Sequence, residues 1–176
     1  MTAALARIRI VRADITTLEV DAIVNAANSR LIPGGGVDGA INKAAGPELG
    51  QAMMAIGRCR TGEAVATPAF QLKARHVIHT VAPMYAQHPE SDVWRLLANC
   101  YRTSLSLAQK HKARNIAFPS LGTGVYGIPI TRACAVAIDE AFTHLARAEL
   151  PAGVVFCCFS EEDAAVYRAE LDRRKG

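Results

Sequence analysis

No stretch of this 176-residue chain is apolar enough for long enough to cross a membrane. Its longest uncharged run, Asn115 to Thr131, is cut by Pro119, Pro129 and three glycines, whereas a spanning helix needs about 20 mostly apolar residues. The first apolar segment carries Arg7, Arg9 and Arg12, which is unlike a secretory signal. The five cysteines (Cys59, Cys100, Cys134, Cys157 and Cys158) form an odd set. None sits at C-x-x-C or Cys/His ligand spacing, so neither a disulfide framework nor a zinc site is expected. Buried thiols in a reducing, cytoplasmic setting fit this usage. Dense positive charge is missing too. The net charge of +4 suits a small polyanion but not nucleic acid. The basic end, Asp172 to Gly176, is expected to be a solvated tail.

What is present is ordinary for a globular protein: 51% apolar and 20% charged residues. This length predicts one domain over residues 1–176. Apolar runs alternate with helical patterns, the sign of an α/β layered fold. Strands are expected at Ile8–Val11, Ala22–Asn25, Glu63–Thr67, His76–Val81, Asn115–Phe118 and Val154–Phe159. Helices are expected from Val37 or Asp38 to Ala45, over Glu48–Ile56 behind Pro47, over Asp92–Lys110, Ile130–Leu145 and Glu161–Asp172. Ser91 or Asp92 is the expected cap of the longest helix.

Two strand–glycine–helix junctions stand out. The first runs Val24-Asn25-Ala26-Ala27-Asn28 into Pro33-Gly34-Gly35-Gly36-Val37-Asp38. Three glycines let backbone approach a ligand closely, and the free amides of a helix start favour an anion. The second is Pro119-Ser120-Leu121-Gly122-Thr123-Gly124-Val125-Tyr126-Gly127. In open α/β sheets such loops converge beyond the carboxyl ends of strands, so the pair can hold a diphosphate from two sides. The second loop matches the letters G-x-G-x-x-G, but no strand-terminal acid follows at the right spacing. Neither loop has the P-loop lysine. A dinucleotide oxidoreductase and a P-loop nucleotidase are therefore disfavoured.

Each candidate side chain has a plain reading beside a functional one. Asp38 is either a helix cap or a general base that orients water; its neighbours Asn25, Asn28 and Gly34–Gly36 favour the second. Asn25 reads as more structural and Asn28 as more catalytic. Asp14 either caps a turn or accepts from a base amino group. Tyr126 is placed to cover a sugar ring. Phe159 either stacks on a base or belongs to the core, and spacing alone favours the core. His76 and His79, three apart in a strand, point to opposite faces and cannot share a metal. Ser120 and Cys100 have no base partner in the sequence.

With these residues in view, the chain resembles the macrodomain family, in its MacroD-type branch. The resemblance rests on Ala13-Asp14-Ile15, Val20 to Asn28, Gly34 to Ala45, Val77 to Pro83 and Gly122 to Gly127. It implies a three-layer α/β/α fold with a mixed central sheet and a cleft for ADP-ribose. By that likeness Asp14 recognises the adenine amino group, Ile15 assists through its backbone, and Phe159 lies against the base. Gly35, Gly36 and Val37 supply backbone donors to the diphosphate. Gly122, Thr123, Gly124, Val125 and Tyr126 close over the diphosphate and distal ribose. Asn25 is counted among the substrate-binding residues, and Asn28 and Asp38 as the catalytic pair. The branch is a metal-free, cofactor-free hydrolase. It deacetylates O-acetyl-ADP-ribose and removes mono-ADP-ribose from acidic side chains of proteins. A non-catalytic ADP-ribose reader is the alternative. Three positions depart from the pattern: Ala13 stands where Gly is usual, Ser160 replaces an acid, and Asn42 stands where relatives often have His. If that His assists substrate placement or proton transfer, the change weakens activity or alters preference.

Overall fold

A computed structural model of the chain describes residues 2–176. A short helix α1 (Thr2–Ala6) precedes strand β1 (Ile8–Arg12) and a 3-10 turn at Ile15–Thr17. Strand β2 (Ala22–Ala26) leads into helices α2 (Gly36–Ala45) and α3 (Pro47–Ile56). Strands β3 (Ala64–Pro68) and β4 (His76–Thr80), helix α4 (Glu90–Lys110) and strand β5 (Asn115–Phe118) follow. Helix α5 (Ile130–Leu145), strand β6 (Gly153–Cys158) and helix α6 (Glu161–Lys175) complete the order.

The six strands form one sheet in the order β1-β6-β5-β2-β4-β3. All neighbours are parallel except β3, which runs antiparallel to β4. The sheet is therefore mixed, and helices cover both faces. Ala22, Val24, Ile116 and Phe118 turn toward α1, α4, α5 and α6, with Leu97, Ala137 and Tyr167 packed on them. Ile23, Val77, Ala117 and Val155 turn the other way, onto Ile41, Leu49 and Met53 of α2 and α3. Strands buried on both faces carry continuous apolar runs, which is why β5 and β6 show no polar alternation. This is a three-layer α/β/α arrangement.

Several boundaries differ from the sequence reading. Helix α4 begins at Glu90 behind Pro89, with no side-chain cap from Ser91 or Asp92. The Pro89 carbonyl takes the amides of Asp92 and Val93, and Glu90 and Asp92 complement the dipole instead. The C-terminal basic residues are not a free tail. Arg174 continues α6 and pairs with Glu170 and Asp139. Strand β6 stops at Cys158, leaving Phe159 outside the sheet.

Candidate active site

After β2 the chain passes to α2 on one face of the sheet; after β5 it passes to α5 on the other. These two strands are neighbours, so their carboxyl ends mark the point where the connections diverge and a crevice must open. A cleft of about 760 Å³ lies there, within the range of small-molecule sites. Thirteen of the residues expected in the site line it. Asp14, Ile15 and Phe159 lie in its wall, as do Asn28, Gly35, Gly36, Val37 and Asp38. Gly122, Thr123, Gly124, Val125 and Tyr126 complete that set.

Asn25 is the exception. It is fully buried on β2 and absent from the cleft wall. Its position in the strand points the amide at Asp38 rather than at ligand space. Asn25 Nδ2 donates to Asp38 Oδ1 at 2.8 Å and meets His79 Nδ1 at 3.0 Å. His79 Nε2 in turn lies 2.9 Å from Thr67 Oγ1. Burial pushes the His79 pKa down to about 4, so the ring is neutral. With Nδ1 accepting from Asn25, the Nε2 proton goes to Thr67. Of the two histidines of β4, His79 is thus a satisfied interior residue. His76 stacks on His111 with ring centroids 4.4 Å apart.

Asp38 stands in the first turn of α2 and is only 3% exposed. Its Oδ2 accepts the Gly34 amide at 3.0 Å, tying the glycine turn to the helix. Oδ1 accepts from Asn42 Nδ2 at 2.8 Å as well as from Asn25. A carboxylate has about four acceptor positions; three are filled by the protein. Asn42 also donates to the Asp38 carbonyl at 3.0 Å and does not line the cleft. It braces the carboxylate from within the helix. Asn28 folds its amide back on the turn: Oδ1 accepts from Ile32 N at 3.2 Å and Nδ2 donates to Ile32 O at 2.6 Å.

The glycines serve distinct ends. Gly36 and Gly122 have φ of +58° and +76°, a region L side chains rarely enter. The helix begins at Gly36 with Gly35 as its cap and no capping side chain. The leading amides therefore have no intrahelical carbonyl, and the residues that carry them line the cleft. Across from them the second loop closes on itself through Ile128 N to Gly122 O at 2.9 Å and Gly127 N to Gly124 O at 3.0 Å. Val125 at its tip is fully exposed.

At the other end Asp14 uses Oδ1 to hold Thr16 through its amide at 2.9 Å and its hydroxyl at 2.7 Å. The second carboxylate oxygen has no hydrogen bond among the described residues, and Asp14 lines the cleft, so the turn cap leaves one acceptor free. Phe159 is 84% exposed on the cleft rim. That overturns the core reading: β6 ends one residue earlier, and Ser160 starts α6 by accepting the Asp163 amide at 3.1 Å.

Sequence reasoning did not anticipate Ala13, Ala26, Ala27, Ala40, Ala82, Pro119 or Asp163 in the wall. The alanines and the proline carry no chemical signature. Asp163 was visible only as part of a helix. Ser120, earlier without a partner, and Cys157 also line the cleft. Burial pushes the Cys157 thiol up to about 11, so it is no thiolate nucleophile. Among the described residues, no three His, Cys, Asp or Glu side chains cluster in a way that holds a metal ion, and no helix is long and apolar enough to cross a membrane.

Fold and cleft together define a three-layer α/β ligand-binding protein with two backbone cradles for an anion. The chain belongs to the macro domain family, whose model matches residues 24–137. It is 52% identical to a macro domain-containing protein of Ralstonia nicotianae, over 96% of each chain. It is 48% identical to the O-acetyl-ADP-ribose deacetylase of Salmonella typhimurium, again over 96% of each. Among solved structures, a variant of the Oceanobacillus iheyensis macrodomain with ADPR matches at a TM-score of 0.89 and 42% identity, covering 94% of this chain and 92% of that one. The Trypanosoma brucei macrodomain in complex with ADP-ribose matches at 0.88 and 40%, covering 95% of this chain and 70% of that one.

Proposed function

We propose that this chain is an ADP-ribose-binding ester hydrolase that removes the acetyl group from O-acetyl-ADP-ribose. Mono-ADP-ribose esters on acidic protein side chains are the related substrate class, since they too are carboxylate esters of the ribose, open to water at the acyl or the anomeric carbon. The observation that carries the reading is the pairing of the α2 amides with the Gly122–Tyr126 turn across one cleft, with Asp38 in the wall. A diphosphate fits between two sets of backbone donors. The base then lies toward Asp14, Ile15 and Phe159, and the distal ribose toward Asn28 and Asp38. The likeness to a deacetylase at 48% identity supports the same direction.

In this reading one acceptor position of Asp38 remains for a water. Water adds to the ester carbonyl, the C–O bond to the ribose breaks, and the ribose oxygen takes up a proton; acetate and ADP-ribose are the products. Asp38 orients that water directly or through the ligand phosphate. Asn28 positions the ribose hydroxyls from its braced turn. We read residues 1–176 as one domain, and the five free cysteines favour a reducing compartment such as the cytoplasm.

A reader without turnover is the second reading, favoured by the burial of Asp38 and its three protein donors. The deciding experiment measures release of acetate from O-acetyl-ADP-ribose by the wild type and Asp38→Ala. A panel with an ADP-ribosylated protein and a phosphorylated ADP-ribose runs alongside. Turnover by the wild type and its loss in the variant support hydrolysis. Equal turnover in both removes Asp38 from the mechanism. Binding of ADP-ribose with no product from any substrate establishes the reader.

A further inference from the structure

Ser120 stands two residues past the end of strand β5, at the cleft wall, and receives two hydrogen bonds. Thr123 Oγ1 donates to its Oγ at 2.7 Å, a shorter contact than its 3.2 Å to the Ser120 carbonyl, and the Tyr167 hydroxyl donates at 3.1 Å. Tyr167 is fully buried on α6, next to the equally buried Tyr101. Burial pushes both phenols up, so Tyr167 stays protonated and remains a donor. A serine hydroxyl has two acceptor positions and one proton. Both acceptor positions are filled from the protein side. With those two hydroxyls donating inward, the Ser120 proton is left for the cleft that Ser120 lines.

This arrangement suits a donor and not a nucleophile. Among the described residues no imidazole or carboxylate is hydrogen-bonded to Ser120 Oγ to take its proton, and two incoming hydrogen bonds draw electron density from the oxygen. The same two bonds polarise the O–H and strengthen what it can donate. A hydroxyl locked as a donor matches a group that only accepts. Ribose hydroxyls donate and accept alike, whereas a phosphate oxygen only accepts. The Gly122–Tyr126 cradle begins two residues later, on the same wall.

We propose that Ser120 donates a hydrogen bond to a phosphate oxygen of the bound ligand, and that Tyr167 is the positioning residue that fixes the direction of that bond. The inference rests on the ADP-ribose reading above. It adds a side-chain donor to a diphosphate site otherwise built from backbone, and it makes the core of α6 part of ligand recognition.

Calorimetric titration tests it with ADP-ribose and with adenosine, which lacks the diphosphate. The proteins are wild type, Ser120→Ala, Tyr167→Phe and the double variant. Tyr167→Phe keeps the ring in the core and removes only the hydroxyl. Ser120→Ala should weaken ADP-ribose roughly tenfold or more, as for a bond to a charged acceptor, and leave adenosine within about twofold. Tyr167→Phe should weaken ADP-ribose by a smaller factor, and that factor should vanish in the Ser120→Ala background. The inference is overturned by wild-type affinity in Ser120→Ala, or by equal losses for both ligands. It is also overturned by a Tyr167→Phe effect that is the same in both backgrounds. A wild type that does not bind ADP-ribose at all overturns the underlying reading, and this inference with it.

Discussion

Asn25 and Asp38 meet at 2.8 Å, amide nitrogen to carboxylate oxygen, with both residues buried. The second hydrogen of that amide goes to His79 Nδ1 at 3.0 Å. A carboxylate at a ligand cleft is thereby tied through one amide to a neutral imidazole in the interior of the sheet. The amide can serve both only while Nδ1 is unprotonated. A proton on Nδ1 would set two donors against each other.

This tie predicts an acid-sensitive fold. The His79 pKa falls from its ordinary 6.5 to about 4 in the folded chain. Between those values the unfolded chain holds a proton that the folded chain does not. Stability therefore falls as the pH drops through that window and is complete above it. The loss from this residue is roughly 2 kcal/mol between pH 7 and pH 4.5. The His76 pKa is also lowered, chiefly by burial and then by His111, and acts in the same sense. The test is therefore the difference between the wild type and His79→Gln, in urea unfolding at the two pH values. The variant should show the shallower dependence; parallel profiles would refute the assignment.

Phe159 predicts a separation of binding from stability. At 84% exposure it contributes little to the core. Phe159→Ala should change unfolding free energy by less than about 0.5 kcal/mol. Lost contact with the adenine should weaken ADP-ribose by about 1 kcal/mol, or several-fold. Thermal unfolding with and without ligand measures both. A variant that unfolds early without ligand would return Phe159 to the core.

The same residue shows where sequence reasoning stops. The run Val154–Phe159 is uniformly apolar, and no pattern within it tells a buried end from an exposed one. What decides is Ser160 capping the next helix, a local signal that the apolar pattern of the strand does not contain. Both glycine junctions and their helices were legible because glycine and the helix-start acid are themselves the signal. The partners of Asp38 were not. Asn42 is one turn along the same helix, but Asn25 arrives from β2 and its own partner His79 from the neighbouring β4, and register is a property of the folded sheet. Arg7 is the extreme case. Its guanidinium donates to carbonyls of Leu145, Ala148, Glu149, Pro151 and Ala152, more than a hundred residues away in the chain.

Two glycines of the opposed loops should behave differently when given a methyl group. At Gly122 the φ of +76° is already strained for alanine, and a Cβ would stand 2.4 Å from Ile128 Cδ1. Gly122→Ala should cost about 1–3 kcal/mol of stability. Gly35 has an ordinary φ of −95°, and nothing lies within 4 Å of an added Cβ. Gly35→Ala should stay within about 0.5 kcal/mol of the wild type. Urea midpoints of the two variants compare them directly. Similar losses at both positions would mean that the glycine turn before α2 is packed more tightly than its geometry indicates.

Asp14 carries the sharpest prediction on ligand choice, because the Thr16 turn engages only one of its two oxygens. Oδ1 holds the Thr16 turn, and an asparagine can keep that bond with its own Oδ1. Asp14→Asn therefore preserves the turn and changes only the free arm, from an acceptor to a donor. An adenine amino group would then face a donor, at a cost of about 1–3 kcal/mol, whereas the 6-oxo group of hypoxanthine would gain a partner. The substitution also removes one negative charge, which favours every anionic ligand. ADP-ribose and its hypoxanthine counterpart carry the same charge, so that benefit cancels in their ratio. The ratio of the two dissociation constants, wild type against Asp14→Asn, should move toward hypoxanthine by roughly tenfold or more. An unmoved ratio with both affinities reduced would mean that Asp14 serves only the turn.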